Sequence, residues 1–299
     1  MNWLTESWLA LSLLSALGLG FYDIFKKEAL RGNSVMPVLF LATLAGTVFF
    51  TVVSLITGNL GAAFNCTMRQ WGLIMVKSLI VSSSWICVYY AMRELPISLA
   101  SPIRASSPVW TLIGGIVIFR ELPTPVQAAG MVLIFCGYYA FATLGNREGF
   151  SWRSRGLRLI VFGTMLGAVS ALYDKYLLFT LQVPRDVMQL HFSIDLVVIL
   201  GVALLIRRFG FRAGVPFVWR WSIPLTGCAL IIADYLYFRA VALPEGQIAI
   251  ISLVRRSSCV VSFAVGAWYF GDVNIRKKAA ALVLILFGIL LLTPLWGGH

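Results

Sequence analysis

Apolar residues run along this chain in ten stretches of about twenty, near 7–29, 37–57, 72–92, 97–119, 125–144, 159–181, 188–206, 221–242, 248–270 and 279–296, with short polar breaks between them. A helix rises about 1.5 Å per residue, so about twenty apolar residues span the roughly 30 Å hydrocarbon core of a bilayer. A membrane β-barrel would instead alternate polar and apolar residues in segments of about ten. The pattern predicts an all-α membrane protein with ten transmembrane helices.

The stretches also repeat. IRASSPVWTLIGGIVIFRE, from Ile103 to Glu121, returns as VRRSSCVVSFAVGAWYFGD, from Val254 to Asp272, which aligns Arg104 with Arg255, Gly115 with Gly266 and Glu121 with Asp272. At the same offset Tyr22-Asp23 matches Tyr173-Asp174. Five spans per half is an odd number, so the second half enters the bilayer from the opposite face. The expected architecture is two inverted-topology five-helix repeats, 1–144 and 159–299, joined by a polar cytoplasmic linker at 145–158. Such a repeat suggests a carrier that rocks about a central site.

Composition agrees: 60% of residues are hydrophobic and 12% charged, with a mean hydropathy of +0.88, beyond what soluble domains show. The net charge of +12 is unevenly placed. Fifteen lysines and arginines fall on one face, from Lys26, Lys27 and Arg31 after the first span to Arg276, Lys277 and Lys278 after the ninth, against Arg69, Arg120 and Arg185 on the other. The positive-inside rule makes the basic face cytoplasmic, which puts both termini outside the cytoplasm and makes the charge a membrane collar rather than a nucleic-acid surface. The first span, with no basic residue before it, reads as a retained anchor. Membrane lipid is one expected partner and a small-molecule substrate the other; the sequence leaves monomer and homodimer open.

The tract ISLASPIRASSPVWTLIGGIVIFRELPTPVQAAGMVLIFCGYYA and its echo GQIAIISLVRRSSCVVSFAVGAWYFGDVNIRKKAAALVLILFGILLL each carry a small-residue helix, an acidic turn and a further apolar helix. In this the chain resembles the EamA-type members of the drug/metabolite transporter superfamily over nearly its whole length. The resemblance implies a carrier of the inner (plasma) membrane of a bacterium and leaves the cargo open: amino acids, drugs, sugars, nucleotide sugars, organic phosphates and lipid-linked sugars are all carried in the superfamily. Many relatives are described with cytoplasmic termini, opposite to the charge count here, and typical members hold fewer charges inside their helices.

Ionisable groups at bilayer depth are costly and mark cavities or partners. Here they are Asp23, Lys77, Arg104, Asp174, Lys175, Asp195, Asp234, Arg239, Arg255 and Arg256. Asp23 and Arg104 lie about 10 Å from one face, and Asp174 and Arg255 about the same from the other. This predicts two symmetry-related pairs, Asp23 with Arg104 and Asp174 with Arg255, acting as gate, site or static pairs. Cancelling them leaves a positive surplus that an anionic cargo would balance. The Arg255-Arg256 tandem resembles the Lys-Arg tandem with which plastid phosphate translocators grip phosphate, and guanidinium forks suit such anions. Against this, Lys77 and Arg239 fall near predicted span ends, where they snorkel, and adjacent helical residues diverge by about 100°.

Tyr22 and Tyr173 are the candidate pocket walls, ahead of Tyr89, Tyr90, Tyr235 and Tyr237. Pro102 and Pro108 predict a kink around Arg104. Gly114, Gly115, Gly266 and the Gly163, Gly167, Ala171 ladder predict close helix packing. Asp234 and Asp195 are the candidates for proton coupling. An enzyme is disfavoured: HExxH, GxSxG and GxxxxGK[ST] are missing, His191 and His299 are the only histidines, and five scattered cysteines suggest neither a metal site nor disulfides. No cofactor is expected. The reading is a secondary transporter moving a small polar, anionic metabolite by alternating access; the alternatives are a flippase for lipid-linked substrates and an exporter of amino acids or cationic drugs.

Overall fold

The computed structural model describes residues 7–94, 107–143, 154–210 and 216–258, with 280, 283–288 and 291 near the end of the chain. Helices α1 (Trp8–Leu30), α2 (Val35–Ile56), α3 (Leu60–Phe64), α4 (Met68–Glu94), α5 (Ser107–Gly114) and α6 (Pro125–Thr143) make up the first half. The second contains α7 (Arg155–Lys175), α8 (Arg185–Gly210), α9 (Ser222–Val241) and α10 (Ile248–Arg256). Five-residue π-helical turns extend α5 over Gly115–Phe119 and α7 over Tyr176–Thr180. Among the described residues six helices are long and apolar enough to cross a membrane, and the shorter apolar helices fall where further spans are predicted. The chain is an integral, multi-pass membrane protein.

Capping side chains, which the apolar pattern does not display, fix the helix ends. At the start of α4 the Gln70 amide donates to Thr67 Oγ1 while the Thr67 amide donates to Gln70 Oε1, a reciprocal capping box. Thr124 and Gln127 repeat it at α6, with Pro125 in the first helical position, where its missing N–H is harmless. Ser154 caps α7 by accepting from the Leu157 amide at 3.2 Å. As a result α4 begins at Met68 rather than 72, and α7 at Arg155 rather than 159.

The principal helix contacts come in matched sets. Helix α1 packs on α9 and α4 on α7; α5 packs on α7 and α10 on α1; α9 packs on α2 and α8 on α4. Helix α2 also meets α8, and α5 meets α10. Exchanging each helix for its counterpart in the other half turns every contact in this set into another member of it. The closest crossing is α2 on α9: a Cβ at Gly227 would lie 1.9 Å from the Ala42 carbonyl oxygen, and one at Gly46 would lie 2.8 Å from that of Gly227. At Gly163 a Cβ would approach Val88 Cγ2 to 2.9 Å, the small-residue packing expected for this helix.

The bundle is tied differently at its two ends. At the basic end Asn33 and Val218 exchange two hydrogen bonds of 2.6 and 3.0 Å, and Arg220 pairs with Glu28 at 2.7 Å with both side chains about a third exposed. At the other end one apolar cluster joins α1, α4, the π turn after α7, α8, α9 and α10 through Leu11, Ile74, Leu177, Met188, Val241 and Ile248.

Gly227→Ala is expected to force α2 and α9 apart and to cost about 1–3 kcal/mol, the usual range for overpacking. Thermal unfolding in detergent checks this against Gly61→Ala, where a methyl group meets nothing within 4 Å.

Candidate functional site

Four helices carry charges into the centre. Lys77 is the tenth residue of α4, Asp174 lies one residue before the end of α7, Asp234 is midway along α9, and Arg255 is in the last turn of α10. The Lys77 ammonium forms an ion pair with Asp174 Oδ1, and both side chains are almost fully buried. It also lies 4.2 Å from the ring centre of Phe192 and 4.8 Å from that of Phe238, whose faces attract a cation.

Tyr237 joins this pair to the next. Its hydroxyl donates to Asp174 Oδ2 at 3.1 Å, while its ring carries the Arg255 guanidinium 4.0 Å from the centroid. Arg255 Nη2 in turn donates to Asp234 Oδ1 at 2.7 Å. The result is a continuous chain, Lys77, Asp174, Tyr237, Arg255, Asp234, with two positive and two negative charges. Its ends differ in access: the Lys77 and Asp174 side chains are 3% and 4% exposed, those of Arg255 and Asp234 17% and 18%. Arg255 Nε is buried without a hydrogen-bond partner, so the guanidinium has a donor to spare.

A second ionic junction lies at the end opposite the basic one. Arg120 adopts a left-handed φ of 57° after the π turn, which folds Glu121 back so that its Oε2 accepts from the Ile248 amide at 3.0 Å, at the first turn of α10. Glu121 Oε1 pairs with Lys175, which also donates to the Gly246 carbonyl. A Cβ at Gly115 would come within 3.4 Å of Glu121 Oε2, so the glycine leaves room for this carboxylate.

These contacts correct the predicted pairing. Asp174 is held by Lys77 and not by Arg255, whose partner is Asp234. Lys77 does not snorkel; four extra residues at the start of α4 place it in the core, 2% exposed. The surplus of positive charge shrinks by one, because Glu121, which lies beyond the predicted span, pairs with Lys175. Arg104 and Pro102 lie outside the described residues. Asp23 is exposed near the end of α1, and Tyr22 is half-buried beside a shallow cleft between α1, α2 and α9, with Lys26 5.2 Å above its ring. Tyr173 donates to the Leu73 carbonyl at 3.3 Å, and its ring lies tilted 6.1 Å from that of Tyr176. Arg256 follows Arg255 at half-burial. Asp195 is 4% exposed on α8 beside Ser78.

The sequence set Lys77 near a span end and ranked Tyr237 behind Tyr22 and Tyr173, so neither was placed in the site. The signal for Lys77 was the Thr67–Gln70 capping box, which moves the helix start; for Tyr237 it was the three-residue step from Asp234, which puts both on one face of α9.

Breaking one partner of the buried pair strands the other, so Lys77→Met is expected to cost about 3–5 kcal/mol, and Lys77→Met with Asp174→Asn distinctly less. Thermal melts of the two variants check this; a double variant no more stable than Lys77→Met would contradict a stranded carboxylate.

Comparison with known proteins fits this fold. The model of the EamA-like transporter family matches residues 6–143. A solved crystal structure superposes with a TM-score of 0.72 over 94% of this chain and 96% of its own, at 15% sequence identity, which speaks to the fold alone. No curated protein sequence matches the chain. Residues 6–143 thus carry an EamA-like transporter domain, and the chain shares its fold with a solved structure over 94% of its length.

Proposed function

We propose that this chain is a secondary transporter whose cargo binds at the Arg255–Asp234 end of the buried ionic chain. The observation that carries this reading is the state of Arg255: partly exposed, seated on Tyr237, joined to Asp234 by one nitrogen, with Nε buried and idle. A fork with spare donors takes a carboxylate or phosphate oxygen. Because carboxylates match the cations along the chain, a cargo carrying an amine as well as an acid group can exchange into the network without leaving a charge unpaired. An amino-acid-like zwitterion is therefore the favoured class. A plain anion is the second reading, favoured by the idle Nε alone.

Ten spans in two inverted repeats form the proposed frame, supported by the matched set of helix contacts. Alternating access is supported by the unequal ends, where Glu28–Arg220 is about a third exposed and Glu121–Lys175 is 12% and 4% exposed. The buried junction is the thicker gate in this conformation. With the basic end in the cytoplasm, as the positive-inside rule directs, the cargo site is closed toward the outside.

A thermal-stability screen against amino acids, carboxylates, sugar phosphates and quaternary amines tests the site, since a ligand that binds only the folded protein raises its melting temperature. Amino acids are expected to raise it in the wild type and not in Arg255→Gln. Stabilisation by amines alone, or one unchanged by Arg255→Gln, would contradict the reading.

A further inference from the structure

Within the bundle, among the described residues, Lys77, Lys175 and Arg255 each face a carboxylate, but Asp195 has no cation within ion-pair distance. The Ser78 hydroxyl, which donates to the Ile74 carbonyl at 2.9 Å, also lies 3.3 Å from Asp195 Oδ2, so its oxygen stands ready to accept from a protonated carboxyl, and Trp71 of α4 reaches the same group. Asp195 lies ten residues into α8, about 15 Å from the helix start, so it is deep in the apolar layer. An isolated carboxylate there costs several kcal/mol, whereas the neutral acid, with a hydroxyl beside it, costs far less.

We propose that Asp195 is a proton-binding site and that His191 passes the proton to it. His191 stands one turn earlier on the same face of α8, half-buried and nearer the helix start. Its Nδ1 donates to the Val187 carbonyl at 3.0 Å, which leaves Nε2 to take up and release a proton. In the transfer an N–H bond at Nε2 breaks as an O–H bond forms at the Asp195 carboxyl. Other titratable neighbours are committed elsewhere or neutral. Helices α2 and α3, which pack on α8, carry no ionisable side chain. Helix α4 offers Lys77, held by Asp174, and Cys66 lies just before it. On α9, Asp234 is held by Arg255 and Tyr237 by Asp174, while Tyr235 packs on Phe50 and Arg239 sits in the last turn. Asp234 has its counter-charge, so Asp195 is the carboxyl that needs the proton.

The site borders the ionic chain, because Ser78 follows Lys77 on α4. Loading Asp195 therefore changes the charge beside the Lys77–Asp174 pair, and a coupling role rests on the transporter reading above. The proton site itself does not.

Infrared difference spectroscopy of the full chain in lipid nanodiscs, titrated in H2O and D2O, tests it. The wild type at neutral pH is expected to show a deuterium-sensitive band from a protonated carboxyl, lost in Asp195→Asn, shifted in Ser78→Ala and retained in Asp234→Asn. Asn mimics the neutral acid, so Asp195→Asn is expected to melt near the wild type; if it does not fold, the Ser78→Ala shift decides. No such band, a band surviving Asp195→Asn, or one unmoved by Ser78→Ala would overturn the proposal. In proteoliposomes holding a pH-sensitive dye, an amino-acid mixture is expected to drive proton movement in the wild type and not in Asp195→Asn. Proton movement persisting in Asp195→Asn would overturn the coupling role, whereas an intact infrared band with no amino-acid exchange by the wild type would fault the cargo reading instead.

Discussion

The ion pair between Lys77 and Asp174 is the constraint from which the rest of the core follows. A charge this deep in an apolar bundle must be matched within contact distance, and the match must use the remaining lone pairs as well. Asp174 meets both demands by taking Lys77 on one oxygen and the Tyr237 hydroxyl on the other. The pair also joins the two halves of the chain, since Lys77 comes from the first and Asp174 from the second. Fixing the Tyr237 hydroxyl orients its ring, and the ring face then fixes where Arg255 can lie. Asp234 completes the series.

Adjacent positions on α7 serve different ends. Asp174 and Lys175 diverge by about 100° around the helix, so one turns to Lys77 and the other to Glu121. One helix therefore supports both the ionic core and the buried junction at the end of the bundle, and displacing α7 would disturb the two together. The π turns after α5 and α7 flank that junction, and π turns tend to gather where a helix must bend for function.

Much of this was legible in the sequence. Helices occur at the predicted apolar stretches wherever the chain is described, because the bilayer imposes a length that composition reveals. Helix starts were less legible, since they depend on capping side chains such as Thr67 with Gln70. That small displacement moves Lys77 from a snorkelling position near a span end into the core. Depth along a helix was readable for Asp174 and Arg255, but depth says nothing of rotation, and rotation decided their partners. The repeat matches helix contacts but not burial: it equates Tyr22-Asp23 with Tyr173-Asp174, yet Asp23 is exposed and Asp174 buried. Glu121 stood out as the acidic turn of the repeated tract, while its link to Lys175 and the start of α10 required the packed halves.

The most direct test of a carrier working through Arg255 is counterflow in proteoliposomes preloaded with an amino-acid mixture. The wild type is expected to exchange internal for labelled external amino acid faster than empty vesicles, and folded Arg255→Gln to fall to the empty-vesicle rate. Exchange by Arg255→Gln at the wild-type rate would contradict the account.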